Sequence, residues 1–181
     1  VLHEYGNLER LVRSANFEGE EMFSPGERFA LAAPLNFVAS LMVLSYGLYR
    51  GCGSSYILSY STVKNPVALI KFLLLKRITL FFLTPTYARK FAGKTGPFLK
   101  KMAVGSEPAN NFYLKGVTSY NMYAQSESGV VTCMFVIDKE YDVCPVGKPQ
   151  FDMKYRVVDD EGNDVPDGEI GEFIFENPYV R

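Results

Sequence analysis

At 181 residues the chain can bury a core of ordinary domain size, and 48% hydrophobic with 22% charged residues excludes a disordered composition. A formal charge of −1, with no Lys/Arg-rich run, excludes the basic field of a nucleic-acid-binding surface. The single histidine, His3, rules out a histidine-based triad or metal cluster within the chain. Cys52, Cys133 and Cys144 fit no zinc or redox spacing, so they read as small buried hydrophobes in a reducing, cytoplasmic compartment.

In chain order, Leu8 to Val12 forms a short helical face, and Ser24-Pro25-Gly26 is a turn. Arg28 to Ala33 reads as a buried strand stopped by Pro34. Asn36 to Tyr49 suits a helix with Asn36 as its N-cap and Gly51 near its end. Phe29 to Tyr49 is uncharged and long enough to span a bilayer. Pro34 and Asn36 interrupt it, however, and Ser40, Ser45 and Gly47 dilute its second half, so strand, turn and core helix are expected rather than a membrane span. Tyr56 to Leu58 is a strand, and Asn65-Pro66 opens a helix running to about Arg77, with Asn as cap and Pro in the first turn. Thr79 to Leu83 is a strand, and Thr84-Pro85 opens a helix ending near Gly93. Lys101 to Val104 and Thr118 to Tyr123 are further strands, followed by the apolar run Val130 to Ile137.

Strands alternating with helices imply β-α-β units, hence an α/β fold with a parallel sheet flanked by helices on both faces. After Pro145 the texture changes: Met153 to Asp159 and Glu169 to Glu176 are strand-like, with turn-rich segments between them. The expected organisation is an α/β unit over 1–145 and the start of a small antiparallel β subdomain over 146–181.

Parallel sheets bind ligands at loops beyond the carboxyl ends of their strands. Two loops fall there, Gly105-Ser106-Glu107-Pro108 and Tyr123-Ala124-Gln125-Ser126-Glu127. Gly105 allows backbone to approach a ligand closely, Tyr123 offers a flat face to a base, Ser126 can donate to a phosphate, and Glu127 can hold a magnesium ion. By residue type alone, two ordinary polar loops with Glu127 as a solvated acid remain an equal reading. Gly93-Lys94-Thr95 is no phosphate loop, since Ala88 stands where its first Gly is needed and a helix, not a strand, precedes it.

Asn121-Met122-Tyr123-Ala124-Gln125-Ser126-Glu127 resembles the Asn-x-Tyr-Gly-x-Thr-Glu signature of the adenylate-forming family, which includes acyl-CoA synthetases, nonribosomal-peptide adenylation domains and luciferases. Ala124 stands for the Gly and Ser126 for the Thr. Other segments agree in order. Phe82-Leu83-Thr84-Pro85-Thr86-Tyr87 is similar to the family's strand-to-Pro-Thr junction, and Val104-Gly105-Ser106-Glu107-Pro108 to its Gly-Gly-Glu-Pro adenine loop, with Ser for the second Gly. Val146-Gly147-Lys148-Pro149, Val158 to Asn163 and Gly168-Glu169-Ile170-Gly171-Glu172 resemble its β-rich region, and Asn7-Leu8 fits the end of the segment after its phosphate loop.

What the resemblance implies is a ligase in which a carboxylate attacks the α-phosphate of ATP to give an acyl-adenylate and pyrophosphate. A thiol of coenzyme A or of carrier-protein phosphopantetheine then accepts the acyl group. On that reading Tyr123 stacks adenine within a nucleotide site of Gly105, Ser106, Glu107, Pro108, Asn121, Ala124 and Gln125; Ser126 contacts phosphate, and Glu127 ligates Mg²⁺ for ATP. The family's phosphate loop is expected before Val1, and its ribose-binding Asp and mobile lysine-bearing domain after Arg181, so the chain alone is expected to be inactive. Val1 is not expected to be the natural start, and no signal peptide is expected.

Amino-acid-activating members carry an Asp in a Phe-Asp-x-Ser run, where Phe37-Val38-Ala39-Ser40 has Val38. A buried ammonium without that carboxylate costs several kcal/mol. The other pocket positions that the resemblance implies, Ala39, Met42, Phe82, Met102, Val104, Met122, Val130 and Val131, are all apolar, and about half of them are expected to be simply core. They favour a hydrophobic small-molecule carboxylic acid without an α-amino group. The alternatives are an amino-acid adenylation domain with an unusual ammonium anchor and a non-catalytic remnant serving as a binding module.

Overall fold

Leu80, Phe81, Phe82 and Leu83 are all buried, which a strand achieves only when both faces of its sheet are covered. The structure, a computed structural model, describes residues 2–13, 16–17, 20–49, 51–90, 93–129, 131–150 and 153–177. In chain order the elements are helix α1 (Tyr5–Arg13), the hairpin strands β1 (Asn16–Phe17) and β2 (Glu20–Glu21), strand β3 (Arg28–Leu31), helix α2 (Ala39–Tyr49) and strand β4 (Ser54–Ile57). Helices α3 (Tyr60–Lys64) and α4 (Pro66–Leu75), strand β5 (Leu80–Leu83), helix α5 (Pro85–Arg89) and strands β6 (Lys101–Gly105) and β7 (Thr118–Ala124) follow. The last strands are β8 (Val131–Ile137), β9 (Lys148–Pro149), β10 (Lys154–Val158) and β11 (Glu172–Glu176).

A seven-stranded sheet runs in the order β4-β3-β5-β6-β7-β8-β9. Pairing is parallel from β4 across to β7, as expected of an α/β fold. It turns antiparallel at β8 and β9. The reason is length: residues 125–130 are too few for the crossover that a parallel neighbour requires, so the chain folds straight back. Strands β10 and β11 form a separate antiparallel pair, while β9 extends the main sheet as far as Pro149.

Alternation along β5 divides the core. Leu80 and Phe82 join Phe29, Leu31, Ala39, Ala103, Tyr120 and Met122 on one face. Phe81 and Leu83 join Leu69 and Leu73 of α4, Ala88 of α5, Met102, Val104 and Phe112 on the other. Helix α4 starts as expected: Asn65 Oδ1 accepts from the backbone N–H groups of Val67 and Ala68, both at 3.1 Å, with Pro66 in the first turn.

One expectation is corrected, and one helix lies where none was expected. Helix α2 begins at Ala39, not with Asn36 as its cap, because residues 34–37 close a turn of their own through Phe37 N–H and the Pro34 carbonyl at 3.0 Å. The five-residue helix α3 was unforeseen; Ser59 caps its start, and Asn65 ends it while opening α4. No helix of the described residues is long and apolar enough to cross a membrane.

Candidate active site

Sheet order reverses direction at β3, whose chain successor β4 lies on one side and whose next strand β5 lies on the other. Open sheets of this kind carry a crevice beside such a switch, beyond the strands' carboxyl ends, where loops diverge to opposite faces. A cleft of about 460 Å³, counting its solvent-open mouth, lies there. Its walls are Phe37, Val38 and Ala39 after β3, Phe82 of β5, Gly105 and Ser106 at the end of β6, Met122 and Ala124 of β7, and Gly129 and Val131 at the turn into β8. The structure thus brings together five of the expected acid-pocket residues, Val38, Ala39, Phe82, Met122 and Val131, with Gly105, Ser106 and Ala124 from the two expected nucleotide loops. No ionisable side chain lines the cleft among the described residues.

The close approach of β6 and β7 under this cleft requires glycine. A Cβ on Gly105 would fall 2.7 Å from the Met122 carbonyl oxygen, so any side chain would push the two strands apart. Ser106 follows at φ +70°, a left-handed conformation that favours glycine.

The loop beyond is strapped to α5. The Thr86 backbone N–H donates to Glu107 Oε2 at 3.2 Å, and the Thr86 hydroxyl donates to the same oxygen. Arg89 Nη2 donates to the carbonyls of Pro108, at 3.3 Å, and Asn110. The Thr86 hydroxyl is the main reason the Glu107 carboxyl is held below its ordinary range. Glu107 therefore serves the loop's shape through its side chain, and Glu107 and Pro108 lie outside the cleft lining.

Beyond β7 the chain makes a 3-10 turn, Ser126–Ser128. Gly129 closes it at φ +73°, its N–H donating to the Ser126 carbonyl at 3.1 Å. Ser128 is buried, and its hydroxyl donates to the Gln125 carbonyl at 2.8 Å. Glu127 is exposed and Tyr123 half-exposed, both outside the cleft lining with Gln125 and Ser126. Magnesium that travels with a nucleotide needs one or two carboxylates and the phosphates themselves. No group of three or more His, Cys, Asp or Glu able to hold a metal occurs among the described residues. The exposed Glu127 carboxylate fits a metal of that kind, and no self-sufficient metal cage accompanies it.

Other expected site residues lie elsewhere. Met102 and Val104 are fully buried in the core on the opposite face of the sheet, as alternation demands once Ala103 and Gly105 face the cleft side. Asn121 also faces away from Met122: its amide donates to the Pro145 carbonyl at 2.8 Å and pins the segment before β9. Met42 lies in α2, and Val130 is outside the described residues. Phe37 and Gly129 line the cleft although neither was assigned to the site: Phe37 opens the Phe37-Val38-Ala39-Ser40 run and Gly129 lies two residues beyond Glu127, and only the fold turns them into the cleft. Burial pushes the Cys133 thiol up to about 11 and raises Cys144 as well, which lowers the share of the nucleophilic thiolate at both.

The model of the family described as AMP-binding enzyme matches residues 1–181. The D-alanine--D-alanyl carrier protein ligase of Bacillus velezensis is 26% identical over 178 residues, covering 86% of this chain and 34% of the ligase. Gramicidin S synthase 2 of Brevibacillus brevis is 26% identical over 183 residues, covering 95% of this chain and 4% of the synthase. Among solved structures, the fused adenylation–carrier di-domain NpsA-ThdA from Klebsiella oxytoca superimposes with a TM-score of 0.80 at 19% identity, over 99% of this chain and 35% of that one. The chain therefore spans about a third or less of these relatives' length. A family match over the full 181 residues, on a fold shared with an adenylation domain, establishes that the chain belongs to the AMP-binding enzymes.

Proposed function

We propose that this chain supplies the acid pocket and part of the nucleotide site of an ATP-dependent acid:thiol ligase. The complete protein activates an apolar carboxylic acid as its acyl-adenylate and passes the acyl group to coenzyme A or to a carrier-protein phosphopantetheine. The observation that carries this reading is the junction in one cleft of an apolar wall, Val38, Ala39, Phe82, Met122 and Val131, with the Gly105–Ser106 and Ala124 loops. An acid seated against that wall presents its carboxylate toward the loops that hold the α-phosphate. Magnesium bound with the triphosphate screens charge on the phosphoryl groups in the transition state. Glu127 holds that ion, Ser126 donates to phosphate, and Tyr123 stacks the base. Residues 1–181 alone do not adenylate.

A second reading is favoured by the relatives, one of which is by its name a D-alanine ligase: the substrate is an amino acid whose ammonium is held by a group other than residue 38. ATP–pyrophosphate exchange by the complete protein separates the two. Exchange with aliphatic and aryl acids, and little with α-amino acids, is the expected result. Exchange with α-amino acids alone overturns the apolar assignment. Silence with every acid supports a non-catalytic binding module.

A further inference from the structure

Asn7, in α1, is fully buried although polar, and its amide joins segments far apart in the chain. Its Nδ2 donates to the Gly129 carbonyl at 2.7 Å. Its Oδ1 accepts from Asn177 Nδ2 at 2.9 Å, and the same Asn177 nitrogen donates to the Ser128 carbonyl. Two side-chain amides, one upstream of the main sheet and one just beyond β11, thus cap consecutive carbonyls at the end of the turn that carries Ser126 and Glu127.

The turn's own bonds, Ser128 N–H to the Gln125 carbonyl and Gly129 N–H to the Ser126 carbonyl, both at 3.1 Å, fix its shape. Its two ends run into the paired strands β7 and β8, and the Asn7 and Asn177 amides add ties from two other parts of the molecule to its buried end, at the Gly129 that lines the cleft. Asparagine suits position 7 because the side chain must donate and accept at once: aspartate cannot donate, and leucine can do neither. Ser128 and Gly129 are buried, so their carbonyls cannot turn to bulk water instead.

We infer that Asn7 and Asn177 are positioning residues for nucleotide activation, acting through the Ser128 and Gly129 carbonyls to aim Ser126 and Glu127. The inference deepens the adenylation reading and rests on it. The clamp also links the residue just beyond β11 to the turn.

The test is pyrophosphate exchange by the complete protein carrying Asn177→Ala or Asn7→Asp, with melting temperature measured beside it. Asn177→Ala leaves the Asn7–Gly129 bond in place and removes one tether. The expected outcome is a KM for Mg·ATP raised about fivefold, the equivalent of one lost hydrogen bond, with the KM for the acid within about twofold of wild type. Asn7→Asp sets a carboxylate oxygen against the Gly129 carbonyl and is expected to raise the KM for Mg·ATP further; should it fail to fold, Asn177→Ala decides alone. A folded Asn177→Ala variant with both KM values unchanged, or both raised equally, overturns the inference. Wild-type protein silent with every acid overturns the adenylation reading and the clamp's catalytic role with it, whereas active wild type with unaffected variants overturns the clamp alone.

Discussion

Ser106 holds a backbone conformation that a side chain resists, in the loop where the family resemblance places a second glycine. A left-handed conformation costs an L-residue about 1–2 kcal/mol, while glycine's extra freedom in the unfolded chain returns about 0.5–1 kcal/mol of that. Ser106→Gly is therefore expected to stabilise the protein by about 0.5–1 kcal/mol, read as a higher midpoint of urea denaturation; an unchanged or lower midpoint contradicts the strain at φ +70°. Next to it, Glu107 bonds to Thr86 in ionised form, so its folded-state pKa lies below the ordinary 4.5. A depressed carboxyl contributes stability that is present above its unfolded pKa and is lost as pH falls through the lower folded value. Thr86→Val is expected to move the Glu107 titration, followed by carboxyl-carbon NMR, up toward 4.5, and a fixed titration would remove the strap's hydroxyl from the account of that shift.

Among the elements, those with local signals were legible and those set by distant partners were not. Asn65-Pro66 announced α4 because capping and proline geometry act within one turn. Asn65→Ala is expected to cost about 1 kcal/mol, seen as a lower denaturation midpoint without loss of the sheet's far-ultraviolet signal; no change would mean that packing of Leu69 and Leu73 alone sets the helix start. Strand β5 was legible from its unbroken apolar run, and β6 and β7 from theirs. Pairing direction was not written in any strand: that β8 returns antiparallel follows only from the short link behind β7. Helix α3 escaped because five residues carry too little periodicity to register. Facing was missed for the same kind of reason. Met102, Val104 and Asn121 belong to motif strands, but alternation assigns them to the face away from the cleft, and motif order says nothing about which face is which.

On the scale of the whole molecule, the cleft sits where topology puts it, beside the reversal of strand order at β3. The apolar wall proposed for the acid comes from the segment after β3 and from β5, β7 and β8, and Gly105, Ser106 and Ala124 of the loops proposed for the nucleotide come from the ends of β6 and β7, all in one cleft. That junction was only partly legible: composition and motif order named the loops and most of the wall, while the contribution of Phe37 and Gly129 needed the fold. The most direct test of the junction is Val38→Asp in the complete protein, assayed by pyrophosphate exchange with the best apolar acid. An unpaired carboxylate in an apolar wall costs several kcal/mol to desolvate. The expected result is a loss of at least about tenfold in kcat/KM for the acid, with the KM for Mg·ATP within about twofold of wild type. Undiminished use of the acid by a folded Val38→Asp protein would contradict the placement of the acid in this cleft.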